Sequence, residues 1–405
     1  MSWEYVALGE LYEVHNGLSK GGKFFGKGSP FLSFSTVFNK WFLPQELLDL
    51  VQSTDNEQQS YSILRGDVFV TRTSETMDEL GMSSVALKDY PHATYNGFTK
   101  RLRPINPERI LPEFIGYYLR TAVFRAGFTA FSTMTTRASL RNEDLLSMKV
   151  PVPDMQTQKH ISSILSAYDD LVESNQKQIK LLEEAAQRLY KEWFVDLRFP
   201  GHETTPIVDG IPEGWSMCTA GNVIEFNPKT PLKKGCIKQS VPMTALSTSS
   251  MVLNSSEFTM TESNSGAKFR NGDTLLARIT PCLENGKTAF VAGITSEEGA
   301  IGSTEFIVMR AKKINPYMVY LLARTEEFRK TAINSMTGSD GRQRAQVDKI
   351  MQFPYLLAPQ STLEAFSQLV EPIFEQVYLK NSQIAQLSQA RDRLLPKLMS
   401  GEIEV

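Results

Sequence analysis

The chain has no apolar run near the roughly 18 residues that a membrane-spanning helix needs, and its opening MSWEYVALGE lacks the basic flank of a secretory signal. A cytoplasmic protein without a membrane partner is therefore expected. Cysteine is scarce: Cys218, Cys236 and Cys282 are odd in number and without CxxC spacing, which argues against both a disulfide framework and a zinc site. The four histidines, His15, His92, His160 and His202, are isolated from one another. A net charge of -2 argues against indiscriminate nucleic-acid binding but leaves room for local basic patches.

Cofactor motifs are missing too. Neither a Gly-x-Gly-x-x-Gly fingerprint nor an Asn-Pro-Pro-aromatic tetrapeptide occurs. GGKFFGKGS approaches a phosphate-binding loop, but Gly28 stands where Ser or Thr should hold magnesium, and SPFLSFSTVF behind it reads as extended instead of helical. No catalytic residue, metal ligand or bound cofactor is assigned to the chain.

What the sequence does contain, it contains twice. QIKLLEEAAQRLYKEWF at 178–194 returns as QIAQLSQARDRLLPKLM at 383–399, with Gln178, Ile179, Leu182, Ala185, Arg188 and Leu189 matched 205 residues later. ILRGDVFVTRTSE, with Gly66, Asp67 and Arg72, is echoed by FRNGDTLLARITP, with Gly272, Asp273 and Arg278. LPEFIGYYLRTAVFR is echoed by NPYMVYLLARTEEFR, and Trp3 and Gly9 by Trp215 and Gly221. A period of about 200 residues is too long for a solenoid unit; it marks a duplicated module, a globular part followed by a helix.

Short runs such as DVFVTRT, FTKRLRP, DTLLARI and TEFIVMR, bounded by Gly, Pro, Asn or Asp, predict strands, and PEFIGYYLRTAVFRAGF predicts a helix begun by Pro112. FPGHETTPIVDGIPEGW is a turn-rich connection. Ile161, Leu165, Tyr168, Val172, Asn175, Ile179, Leu182, Ala186, Leu189 and Trp193 alternate at four and three residues, the a/d pattern of a coiled coil. Adding 205 to each gives a second seam from Phe366 to Leu398. Each is roughly 50 Å long at about 1.5 Å per residue. An approximate two-fold relation between the modules favours antiparallel pairing, with Asn175 and Lys380 as polar register residues and Arg391 brought near Tyr168. Ser361 and Glu364 predict a capping box, and Pro372 and Pro396 a bend or frayed ends.

The expected fold is α+β: two similar mixed α/β globular domains separated by two long helices forming an antiparallel coiled coil, a pseudo-two-fold internal repeat. The segments are 1–150, 151–199 (first helical spacer), 200–355 and 356–405 (second spacer). Arginines suit guanine edges, and lysines and hydroxyls suit phosphates. Were the partner a DNA duplex, the contact candidates would be Arg72, Thr73 and Ser74 with the matching Arg278 and Thr280, then Arg137, Arg141, Arg342 and Arg344. Two glycine-bearing lysine runs add Lys20, Lys23 and Lys27, and Lys229, Lys233 and Lys234.

VPVPDMQTQKHISSIL before the first helix, IPEGW opening the second domain and RDRLLPKLMSGEI at the carboxyl end make the whole chain resemble the specificity subunit of Type I restriction-modification systems. APQSTLEAF is a looser helical entry, and FVDLRFPG stands where a copy of SGEI would follow the first helix. The resemblance implies a non-catalytic reader of double-stranded DNA, each domain taking half of a split target. It also implies partners: two modification subunits bringing S-adenosylmethionine to methylate adenine, and motor-nuclease restriction subunits. A coiled-coil scaffold or adaptor with twin protein-binding domains is the alternative.

Overall fold

The computed structural model describes residues 3–74, 80–131, 138–233, 235–339 and 341–405, without the side chains of Ser74, 129–131, 138 and 139. The chain forms two compact units, Met1–Leu171 with Gln386–Val405, and Val172–Ala385.

The globular body of the first unit is built on a four-stranded antiparallel sheet in the order Tyr12–Asn16, Thr99–Pro104, Val68–Thr71, Ser83–Val85. In the second unit the order Ile224–Phe226, Phe306–Ala311, Thr274–Ala277, Thr288–Phe290 repeats it strand for strand. Each central strand is buried on both faces, and its side chains alternate between two cores, as a two-residue period requires. Val68 and Val70 enter the core that holds Phe114 and Ile161, while Phe69 enters the one that holds Tyr95. Leu276 and Leu275 divide in the same way. Each body is closed by pairing its first strand with its last: Glu4–Ala7 with Lys149–Val152, and Ser216–Thr219 with Pro354–Leu357. The duplicated glycines share one task. A Cβ at Gly9 would come within 3.3 Å of Leu146, and one at Gly221 within 3.2 Å of Met351, so a short helix can lie close in both bodies.

The duplicated Gly-Asp dipeptide is a structural device. Asp67 is fully buried, accepts the Leu64 N–H at 2.8 Å and receives Nε and Nη2 of Arg103 at 2.8 and 2.6 Å. Asp273 does the same with the Arg270 N–H and with Arg310 at 2.7 Å from both nitrogens. The fork ties the turn entering one central strand to its neighbour.

The helix expected from Pro112 divides into Pro112–Tyr118 and Ala122–Phe131. Thr121 interrupts it, its hydroxyl donating to the Tyr118 carbonyl and accepting from the Phe124 N–H. Thr325 interrupts the second copy in the same way.

The long helices run Met155–Tyr190, extended by a π-helical turn at Lys191–Val195, and Gln360–Met399. Every residue of both seams is buried or half-buried. Within the first unit, Ile161 and Leu165 share a core with Leu395, Leu398 and Met399, and Arg391 pairs with Asp169. Gly401 lies against Trp3, near the start of the first helix, so the direction is antiparallel. Within the second unit Tyr190, Trp193 and Phe194 pack their rings on Phe366 near the start of the second helix.

Three local expectations need correction. Arg391 does not stack on Tyr168; its guanidinium lies 4.7 Å from the Trp41 ring centroid and binds Asp169, which also accepts the Tyr117 hydroxyl. Ser361 is not a cap, because the second helix already runs from Gln360, whose amide donates to Glu364. Pro372 and Pro396 leave that helix unbroken, both on its exposed side.

Candidate nucleic-acid interface

Arg72 directly follows the central strand Val68–Thr71. Its N–H donates to the Phe98 carbonyl at 3.0 Å, and its own carbonyl accepts from Leu140 N–H at 3.0 Å. Beyond it, Thr73–Ser74 pairs antiparallel with Ala138–Ser139. Two candidate segments more than 60 residues apart in sequence are thus stitched together, and Arg141 follows directly, exposed. Among the described residues the Arg72 guanidinium has no hydrogen-bond acceptor. Lys100 is buried close by and donates to Asn142; burial first, and the Arg72 charge second, push its pKa down. Arg72 and Lys100 thus bring two cations together here, with the Asp144 carboxylate acting on Lys100 in the opposite direction.

The second body builds the same junction. Arg278 N–H donates to the Glu305 carbonyl at 2.9 Å, and the Arg278 carbonyl accepts from Ala345 N–H at 2.8 Å. A bridge joins Ile279 to Arg344. Thr280 is bound inward, its N–H and hydroxyl both donating to the Gln343 carbonyl. Arg344 forks onto Glu305 at 2.7 to 3.0 Å, and this bond holds the Glu305 carboxyl below its ordinary range. Arg342 is exposed beside it. Among the described residues the buried Arg278 Nε has no hydrogen-bond partner. Arg278 lines an open groove of about 740 Å³ whose wall includes Lys229, Lys268 and Thr304. Lys268 was missed in the sequence, because a single lysine in AKF carries no signal until the fold sets it across from Lys229.

The lysine runs divide by environment. Lys20 is engaged internally: it binds Glu57 at 2.7 Å and the Gln52 carbonyl at 2.5 Å. Lys23 is exposed above the Phe24 ring, 5.1 Å from its centroid, and Lys27 is exposed. Lys27 sits inside the strand Phe25–Leu32, so the glycine-rich segment does not cradle a helix N-terminus; the residues expected to be extended become the short helix Phe34–Asn39 only after Ser33. Lys229 is exposed, and Lys233 pairs with Glu298. Arg137, Lys234 and the side chain of Ser74 lie outside the described residues. Asn175 and Lys380 are half-buried in their seams, with no hydrogen bond between them among the described residues. No cluster of metal-ligating side chains occurs among the described residues, and no described helix is long and apolar enough to cross a membrane.

A sheet scaffold written twice, with an arginine at the same strand end of each copy and a paired-helix segment on each, defines a duplicated two-body protein. Residues 1–184 match the family model of the Type I restriction modification DNA specificity domain. The MjaIX specificity subunit of Methanocaldococcus jannaschii is 26% identical over 331 residues, 79% of this chain and 75% of that protein. The EcoAI specificity subunit of Escherichia coli is 32% identical over 171 residues, 40% of this chain and 28% of that one. The crystal structure of a Type I restriction-modification S subunit from M. genitalium superposes with a TM-score of 0.57, covering 98% of this chain and 96% of that one at 14% identity, a likeness of fold. The chain is similar to Type I specificity subunits in sequence over most of its length and in fold over nearly all of it.

Proposed function

We propose that this chain is the non-catalytic DNA-reading subunit of a Type I restriction-modification assembly, each body reading one half of a bipartite duplex target. The observation that carries this reading is the doubled junction. Arg72 and Arg278 are held by the same pair of backbone hydrogen bonds, and among the described residues the buried Arg278 Nε lacks an acceptor. An unsatisfied buried donor costs about 1–3 kcal/mol, and a guanine edge offers a guanidinium two acceptors in the geometry it prefers. Lys229 and Lys268 flank Arg278 where phosphates would pass, fixing register without reading sequence. In this reading S-adenosylmethionine and the methyl transfer to adenine reside in two modification subunits that dock on the helices, and restriction subunits supply motor and nuclease. Similarity to specificity subunits favours it over an adaptor with protein-binding domains.

The test is equilibrium binding by the chain with its modification subunits, to duplexes carrying both, one or neither of the half-sites. Strong binding is expected only with both; equal affinity for all three would refute the proposal. Lys229→Ala and Lys268→Ala should weaken binding alike on every sequence, each lowering the slope of log affinity against log salt by about 1. An unchanged slope would remove these lysines from the interface.

A further inference from the structure

The turn that presents each arginine keeps the same hydrogen-bond pattern in both bodies, while its side chains differ. In the first body the Asn96 side-chain oxygen accepts the Phe98 N–H at 2.7 Å, and the Asn96 carbonyl accepts the Thr99 N–H at 3.0 Å. In the second, the Ser303 hydroxyl accepts the Glu305 N–H at 3.1 Å, and the Ser303 carbonyl accepts the Phe306 N–H at 3.2 Å. The following strand is in register in both copies, Thr71 opposite Thr99 and Ala277 opposite Phe306. The tip carbonyl takes the N–H of Arg72 in one and of Arg278 in the other. Phe98 and Glu305 therefore occupy one structural position.

Neither residue is needed by the turn, which uses only their backbone. Phe98 is 56% exposed and belongs to no core cluster of its body. A scattered exposed apolar side chain is ordinary; one fixed beside an arginine that has no acceptor among the described residues, at a position where the other copy carries a carboxylate, is placed to be read against a ligand. A duplex major groove offers two features that match these side chains: the thymine 5-methyl group meets an apolar surface, and the cytosine 4-amino group donates to a carboxylate. Glu305 is aimed by its fork with Arg344.

Resting on the reading of these bodies as DNA-recognition domains, we infer that the turn tip beside the arginine is a specificity position in both copies, and that Phe98 reads the 5-methyl group of a thymine. Nothing covalent is involved; the contact replaces hydration of one methyl by burial against a ring.

Replacing thymine by uracil deletes that methyl and leaves the base pair intact. Once the target is mapped, each thymine of the first body's half-site is replaced in turn, and affinity is measured for the chain with its modification subunits. One position should lose about three- to tenfold, the effect of burying one methyl group. Phe98→Ala should bind the thymine and uracil duplexes equally, and Phe98→Leu should keep part of the difference. Uracil at every position without effect on the unaltered chain would overturn the assignment, as would a Phe98→Ala chain that keeps the full thymine preference. So would a folded Phe98→Ala chain that loses both duplexes equally, the behaviour of a wedge between base steps. A chain with no preference for the bipartite duplex over a scrambled one would refute the function itself, an outcome distinct from these.

Discussion

Asp67→Ala should lower the unfolding free energy by about 3–5 kcal/mol, the loss that follows when one member of a buried ion pair is removed. The carboxylate is fully buried and is the acceptor for three donors, the Leu64 N–H and two nitrogens of Arg103. Alanine leaves all three without it, although Arg103 is partly exposed and the Ser62 carbonyl still accepts from it at 3.0 Å. Asp273→Ala should cost a similar amount through Arg310. Because the two aspartates belong to different compact units, each substitution should shift the unfolding of its own unit first. Denaturant titration followed by fluorescence and proteolysis reads both the size and the place of the loss. A change below about 1 kcal/mol would show that the fork adds little beyond what solvent supplies.

The second large effect is on recognition. Arg72→Ala and Arg278→Ala should each weaken binding by roughly 1–3 kcal/mol and relax selectivity at one base pair, but in different halves of the target. Stability should not fall through lost hydrogen bonds, since neither guanidinium has an internal acceptor to lose among the described residues. Affinity measured on duplexes altered one pair at a time would show the effect. If either substitution lowers affinity uniformly over all sequences, that arginine contacts phosphate and not a base.

The architecture was legible because its signals are local or periodic. A 205-residue offset, alternating four and three spacings, and β-branched runs between turn residues each announce themselves within a short window. The seams were therefore readable residue by residue, and the strands DVFVTRT and DTLLARI fell where the central strands lie. What was not legible depends on partners distant in sequence. Gly66-Asp67 stood out as a repeated landmark, yet its role is set by Arg103, 36 residues on. Lys20 looked like a free cation until the fold brought Glu57 to it. Arg391 looked like a seam residue for Tyr168, but Trp41 and Asp169 reach it first. Phe98 gave no signal, because an exposed aromatic acquires meaning only from the arginine that its carbonyl holds. The segments around Arg72 and Arg141, singled out separately, lie side by side because a two-residue ladder joins Thr73–Ser74 to Ala138–Ser139.

The central claim is that two structurally equivalent bodies read two halves of a target independently. Exchanging residues 1–150 for the matching domain of a relative, leaving the rest of the chain intact, and sequencing methylated adenines in cells that carry the complete system tests it most directly. One half of the methylated sequence should change to that of the donor while the other half is retained. A change in both halves together, or in neither, would contradict independent reading.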